Sequence, residues 1–338
     1  MVNDLLSDAV EQLLADASPP RRVREIEAGG SAEELWAVVA GSGFADALVP
    51  EERGGAGLGL SGALPILHAC GRHALPVPLA HTMAVRAVLA AAGHPWPEGA
   101  ATFAEAATDE VGATVCRRVP FGRVAAWVMA GGPDGSRLLP VSAAEVIPTG
   151  VHGSLEADLR WSAPSPAAVV PGETPWRVIG AALHAALLAG ALERVLEGTV
   201  AHANDRVQFG RSIGKFQAIQ QQLSVAAEHV FAARMAARIG CSGASHLPDA
   251  LHAAVAKARA SEAAVVVAAI AHAVQGAMGI AEESDLQLHA RRLHEWRLAS
   301  GSERHWNERI GEAVLSGSAD GLVSILRERL SPSPQREP

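Results

Sequence analysis

A chain of 338 residues with a net charge of -8 carries no basic surplus of the kind a nucleic-acid binder needs, and it is long enough for one large unit or two to three smaller ones. Hydrophobic residues make up 49% of it but aromatics only 4%, with no tyrosine, so alanine, valine and leucine must fill the interior, which favours closely packed helices. Cys70, Cys116 and Cys241 are odd in number and widely spaced, which excludes a disulfide framework and a zinc knuckle and leaves three reduced, buried thiols.

Residues 1–98 read as a helical domain. The start, MVNDLLSDAVEQLLADA, mixes acidic and apolar residues without a basic lead or a continuous apolar core, so no secretory signal is expected and the location is read as cytoplasmic. Leu5, Val10, Leu13 and Leu14 mark a first amphipathic helix, and the mixed charges from Glu11 to Glu27 read as a solvated face. Glu34 to Val39 starts a second helix that fails at Gly41 and Gly43. A proline- and glycine-rich loop, LVPEERGGAGLGL, follows, then an apolar helix stopped by Gly71 and two prolines. Over residues 99–172 the texture changes. Short apolar runs at Ala113 to Cys116, Val124 to Met129 and Ala167 to Val170, bounded by GGPDGS, SPS and PGE, predict a small β domain.

Residues 173–330 return to helix, with Thr174 and Pro175 as a plausible cap and first position. Leu188, Leu192, Val195, Thr199 and His202 step by four and three along one face, leaving Glu193, Arg194 and Glu197 on another. Phe216, Ile219, Leu223, Ala226, Val230, Ala233 and Ala237 repeat the pattern until Gly240. Pro248 opens a third long helix, Asp285 to Arg297 lies in a fourth, and short helices follow Ser302 and Asp320. The run from Ala263 to Ile280 approaches a membrane-spanning length, but its alanine, His272 and Gln275 make it a weak inserter, and a buried bundle helix is the expectation. The whole is therefore mainly α with a small β domain: an N-terminal helical domain, a reduced β-barrel-like middle and a C-terminal four-helix bundle. Residues 331–338, SPSPQREP with its last leucine-free turn, read as a disordered tail.

That order of parts, and three motifs, resemble the acyl-CoA dehydrogenase family over nearly the whole chain. LVPEERGGAGLGL resembles the family's N-terminal loop, RVQFGRSIGKFQAIQQQL its Arg-x-x-Phe-Gly, Ile, Phe-Gln signature, and QGAMGIAEESDLQLHARRL its glycine-rich turn with glutamate and arginine. The resemblance implies FAD as cofactor, an acyl-CoA thioester as substrate, and an oligomer in which the signature reaches flavin across a subunit interface. The residues assigned to that contact are Arg206, Gln208, Phe209, Ile213, Phe216, Gln217, Gln275, Gly276 and Gly279. Residue chemistry agrees for three of them: Arg206 offers a planar fork of donors to a pyrophosphate, Gln217 an amide to adenine or ribose, and Phe209 a flat apolar wall.

The family's base does not carry over. Counting on from Gly279-Ile280 to the place where the family has a glutamate before Gly-Thr reaches Ser300-Gly301-Ser302, and a serine hydroxyl is no base near neutral pH; losing a positioned base costs ~10² to 10⁴ in rate. The alternative place, on the first long bundle helix, falls at Gly180. Ala273 stands where a flavin-contacting glutamine is usual, and no Thr- and Ser-rich flavin cradle is evident in the β domain. The pattern is most similar to the short subunit of a two-component acyl-CoA dehydrogenase, including those acting on steroid side chains, whose full-length partner brings the base. Two readings stay open beside it: a homo-oligomer with a relocated base, Glu303 first among Glu283, Asp285 and Glu295, and a non-redox binding scaffold. No metal site, Walker loop or Ser-His-Asp set is read; His68, His73, His81 and His272 are taken as packed or surface histidines, and Trp296 and Trp306 as packing for the last helices.

Overall fold

The computed structural model describes residues 2–316. The expected helix after Asp320 and the tail lie outside them. Five helices form the N-terminal part: α1 (Val2–Ala17), α2 (Pro20–Glu27), α3 (Glu33–Gly41), α4 (Leu60–Arg72) and α5 (Leu79–Ala91). On α1 the inward stripe is Leu6, Val10, Leu14 and Ala17, whereas Leu5 is 70% exposed. A stripe spaced by four and three leaves position 5 on the outer side of the helix, so Leu6 takes the place expected of Leu5.

Seven strands follow: β1 (Ala101–Thr108), β2 (Thr114–Val119), β3 (Trp127–Gly132), β4 (Gly135–Pro140), β5 (Glu145–Pro148), β6 (Ala157–Trp161) and β7 (Ala168–Pro171), in the spatial order β5-β6-β2-β1-β3-β4-β7. Only β1 and β3 pair in parallel. The sheet curls around its own small core, because Trp161 on β6 donates its indole N–H to the Pro140 carbonyl of β4 although three strands separate them. The strand expected from Val124 starts only at Trp127, since the Val124 and Ala125 amides bond back to Phe121 in a turn.

The helical part comprises α6 (Trp176–Asp205), a hairpin of β8 (Val207–Gln208) and β9 (Arg211–Ser212), then α7 (Gln217–Gly240), α8 (Ala250–Gln275), α9 (Ala277–Ile280), α10 (Leu286–Leu298) and α11 (Glu303–Leu315). Pro248 does not open α8. Asp249 caps it, its carboxylate accepting from the Leu251 and His252 amides at 2.9 Å and so satisfying donors that a helix start leaves free. Pro175 likewise sits just ahead of α6, which begins at Trp176. Three long helices and the 13-residue α10 make the four-helix bundle.

Helix α6 is the axis of the molecule, with every residue from Ile179 to Leu192 buried. It is the one helix among the described residues long and apolar enough to cross a bilayer, and 83% of its most apolar window is buried inside the fold. The run from Ala263 buries one face, Ala263, Ala264, Val267, Ala268, Ala271 and Val274, in α8, leaves Val265 on the outside and is broken at Gly276. α4 crosses α6 at backbone contact: a Cβ on Gly71 would lie 2.0 Å from the Leu187 carbonyl oxygen, and one on Gly190 2.0 Å from that of His68, so only glycine fits at either crossing point.

The charges from Glu11 to Glu27 form a solvated face only in part: Asp16, Arg21 and Glu25 are exposed, whereas Glu11 and Glu27 are paired inward. Glu27 is buried and paired with Arg291 at 2.6 Å and Arg292 at 2.9 Å on α10, while Glu11 binds Arg72 at 3.1 Å and His73 at 2.8 Å. The Glu27 pairs tie α2 to the bundle and the Glu11 pairs tie α1 to the end of α4; an amphipathic pattern cannot distinguish such a charge from one facing water. Cys70, Cys116 and Cys241 are free and buried, and burial pushes each thiol up to about 12.

Candidate functional site

The residues singled out in the sequence lie at the two opposite ends of α6. Arg206 ends the helix, and the β8–β9 hairpin turns the chain into α7 through Phe209 and Gly210, both at positive φ. A left-handed phenylalanine is uncommon, and this one sits at the hairpin tip with 92% of its surface exposed. Arg206 is exposed, and its guanidinium has no hydrogen-bond or ion-pair partner among the described residues; the same holds for the side-chain amides of Gln208 and Gln217. Phe216 is already occupied: the Arg211 guanidinium lies 4.2 Å over its ring and Phe209 meets it edge-on at 6.2 Å. Ile213 is half-buried, its amide bonding the Arg206 carbonyl at 2.8 Å and closing the turn.

α8 ends at the same place. Gln275 donates its amide to Thr199 Oγ1 at 3.3 Å, two turns before the joint, and Gly276 (φ 58°) starts the α9 turn that buries Gly279. The structure thus brings together all nine predicted cofactor residues at one end of the bundle. It leaves free there a guanidinium fork, two amides and a flat exposed ring. That donor set fits the phosphate and nucleoside end of a flavin dinucleotide, since exposed groups without internal partners need give up no bond to bind it.

At the other end, the two positions where a base was sought prove to be one place. A Cβ on Gly180 would lie 2.1 Å from Ser300 Oγ, so α6 and the turn between α10 and α11 are in contact with no carboxylate between them. Around this junction His184, His81, Phe103, Phe121 and Trp176 pack tightly. His81 lies 4.9 Å from Phe103, 5.3 Å from Phe121 and 5.2 Å from His184, and Trp176 stacks on Phe103 at 4.8 Å. Beyond Trp176 and Trp306 a cavity of about 870 Å³ opens between the β1 and β3 ends, the start of α8 and α11, with Arg177, Glu105 and Arg309 on its rim.

The junction cannot do acid–base chemistry. Burial drives His81 down to about 3, and burial together with His81 and Lys257 holds His184 well below its ordinary value. His184 Nδ1 donates to the Gly180 carbonyl at 2.7 Å, so Ser300 Oγ, 3.3 Å from the same nitrogen, can only share that proton and finds no acceptor to activate it. Glu303 is engaged as well. Burial raises its carboxyl, but the Arg297 guanidinium, bonded to both carboxylate oxygens, outweighs this and holds it below the usual range. Glu283 and Asp285 lie on the surface beside Arg24, Asp285 at 2.7 Å and Glu283 through its backbone carbonyl, and Glu295 pairs with Arg292. His184 and Lys257 were not singled out in the sequence. The histidine in GAALHAALLAGAL is the one strongly polar group of an apolar run, which is the signal that could have marked it; Lys257 in AAVAKARA has Arg259 two residues on, and burial alone separates the two.

Comparison with known proteins places this geometry. The family described as Acyl-CoA dehydrogenase, N-terminal domain, matches residues 3–96, and Acyl-CoA dehydrogenase, C-terminal domain, matches residues 179–315. A curated relative, acyl-CoA dehydrogenase IpdE2 of Mycobacterium tuberculosis, is 32% identical over 309 residues, 86% of this chain and 90% of that protein. Among solved structures, a chain of the ChsE4-ChsE5 complex from Mycobacterium tuberculosis superposes with a TM-score of 0.79 at 22% identity, covering 94% of this chain and 98% of that one. Butyryl-CoA dehydrogenase from Megasphaera elsdenii does so at 0.74 and 18%, covering 93% and 98%.

Proposed function

This chain belongs to the acyl-CoA dehydrogenase family, and from that membership we propose that it is the base-lacking subunit of a hetero-oligomeric acyl-CoA dehydrogenase, lending its α6–α7 joint to an FAD whose catalytic carboxylate stands on a partner chain. The reaction would be α,β-dehydrogenation of an acyl-CoA thioester, with FAD accepting the hydride. The observation that carries the reading is the contact of Gly180 with Ser300: both places where a base could stand hold residues without one, and the space between them is closed.

The position of the joint supports the same division of labour. From Gly180 to Arg206 along α6 is roughly 40 Å at ~1.5 Å per residue, further than one dinucleotide extends. One bound FAD therefore cannot meet both ends of the same chain, and the groups at the joint are of use to a flavin centred on a neighbour. There Arg206 would neutralise phosphate, Gln208 and Gln217 would bond the nucleoside, Phe209 would cover an apolar face, and the turn at Gln275, Gly276 and Gly279 would bound the site. One structural neighbour is itself described as a complex of two chains, which favours a hetero-oligomer over a homo-oligomer. The engagement of Glu303 by Arg297 weighs against the homo-oligomer with a relocated base.

The test is the visible spectrum and thioester turnover of the chain purified alone and purified with a co-expressed acyl-CoA dehydrogenase that has an intact base. The expectation is a colourless, inactive protein alone and a yellow, active complex. A yellow protein that oxidises acyl-CoA unaided would overturn the reading.

A further inference from the structure

The turn that brings Ser300 against α6 is conformationally costly. Ser300 has φ 54° and Gly301 φ 100°, and a serine in the left-handed region persists only where its surroundings over-determine it. One side chain dominates those surroundings. Lys257, on α8, has no exposed surface, and its Nζ donates at 2.7 Å to the Arg297 carbonyl, at 2.9 Å to the Gly301 carbonyl and at 3.0 Å to Ser261 Oγ. Two of these acceptors are backbone oxygens on either side of Ser300. The Arg297 carbonyl is also one of the last of α10, which the helix itself leaves unpaired and where its dipole favours a cation. Trp306 adds one bond, its indole N–H to the Ser300 carbonyl at 3.0 Å, and Arg297 and Glu303 clasp the turn from outside.

We infer that Lys257 is a positioning residue: its ammonium, by bonding the carbonyls before and after Ser300, locks the α10–α11 turn against Gly180 and His184 and so keeps this chain's own thioester site shut. This deepens the reading above and rests on it, in that a sealed site is what a subunit serving only its neighbour's flavin can carry without loss. An ammonium supplies a donor to each of the three acceptors, and a neutral amine would keep the same contacts by donating to the two carbonyls and accepting from the Ser261 hydroxyl.

The groups facing Lys257 from each packed element are Ser261 on α8 itself, neutral His184 on α6, Arg297 on α10 and Glu303 on α11. Burial pushes Lys257 down to about 7 and Arg297 pushes in the same direction, against Glu303. A depressed value means that an opened, solvated Lys257 would take up the proton first, so the closed turn is not weakened as pH rises, and the lock rests on the three contacts rather than on pH.

Hydrogen exchange of the whole chain, followed in peptides spanning residues 297–306, tests this. Lys257→Met should lower the protection of these amides about tenfold while α1 to α5 keep theirs, and Lys257→Arg should retain part of it. Unchanged protection of the turn in Lys257→Met, or a loss spread evenly over α6, α7 and α8, would overturn the inference and leave Lys257 an ordinary core residue. Should Lys257→Met not fold, Lys257→Gln decides by the same two outcomes. The measurement involves neither flavin nor a partner, so this idea and the proposed function can fail separately.

Discussion

His81 offers the sharpest quantitative test of the sealed junction. It has no exposed surface, neither ring nitrogen has a hydrogen-bond partner, and its neighbours are Phe103, Phe121 and the neutral His184. An unfolded histidine takes up its proton near pH 6.5, whereas burial delays protonation of His81 in the native chain to about 3. Between those values the unfolded state holds the extra proton, so the stability contributed by neutral His81 is complete above pH 6.5 and is lost as pH falls, by about 1.4 kcal/mol per unit and about 2 kcal/mol by pH 5.

Replacing His81 by leucine removes both buried nitrogens at similar volume and should cost little at pH 7.5, because an unpaired polar group is exchanged for an apolar one. Below pH 6.5 the variant should gain on the wild type by about 1.4 kcal/mol per unit. The assay is denaturant unfolding of both proteins at several pH values, followed by tryptophan fluorescence. Glu156, whose carboxyl burial and the nearby Glu295 raise to about 7 against Arg118, has the opposite pH slope, since it stabilises the fold as pH falls, but it is common to both proteins and cancels in the difference. A difference in stability that stays constant from about pH 7.5 to about pH 5 would show that His81 is hydrated or partnered, and the closed junction would be wrong.

Three further outcomes follow from named contacts. Ser300→Glu should not create a working base: the carboxylate meets α6 and Phe103 where even a Gly180 Cβ finds no room, so the variant alone should lose roughly 3 kcal/mol by thermal or denaturant unfolding and show no thioester oxidation. Arg206→Ala should leave the circular dichroism and melting of the isolated chain unchanged, because the guanidinium has no internal partner, yet weaken FAD binding by the partner complex about tenfold or more in a flavin-fluorescence titration. Arg292→Met removes one of the two cations that neutralise buried Glu27 and should cost about 3–5 kcal/mol of stability, whereas Arg21→Ala, whose bond to Glu25 lies on the surface, should cost under ~1 kcal/mol.

The long bundle helices and the joint were legible because their signals are local, whereas α2 and α5 were not singled out. A stripe spaced by four and three reports burial directly, as at Leu188, Leu192 and Val195, and Arg206 to Gln217 is a continuous motif. β1 was not legible: half of ATFAEAAT is alanine, which favours neither strand pairing nor alternation strongly, and it is held as a strand by β2 and β3 on either side. The contact between Gly180 and Ser300 was also invisible, since the residues lie far apart in sequence and each was found by a separate count. Their meeting depends on how α10 packs along α6. Glu27 was misjudged for a related reason, because its partners Arg291 and Arg292 belong to the far end of the chain.

The two ends of α6 differ in a way that packing alone does not demand. At the Gly180 end every polar group that could meet a substrate is buried, shared or paired: Nδ1 of His184 is spent on a carbonyl, Glu303 on Arg297, and Lys257 on two carbonyls and a hydroxyl. At the Arg206 end a guanidinium and two amides have no partner among the described residues, and a phenylalanine at positive φ lies exposed against the edge of Phe216. A left-handed backbone at an exposed phenylalanine costs some stability in an isolated molecule, a cost that a covering surface would offset. The same helix thus carries internally satisfied groups at one end and exposed, unpaired ones at the other, and that asymmetry is what the proposed contributing subunit requires.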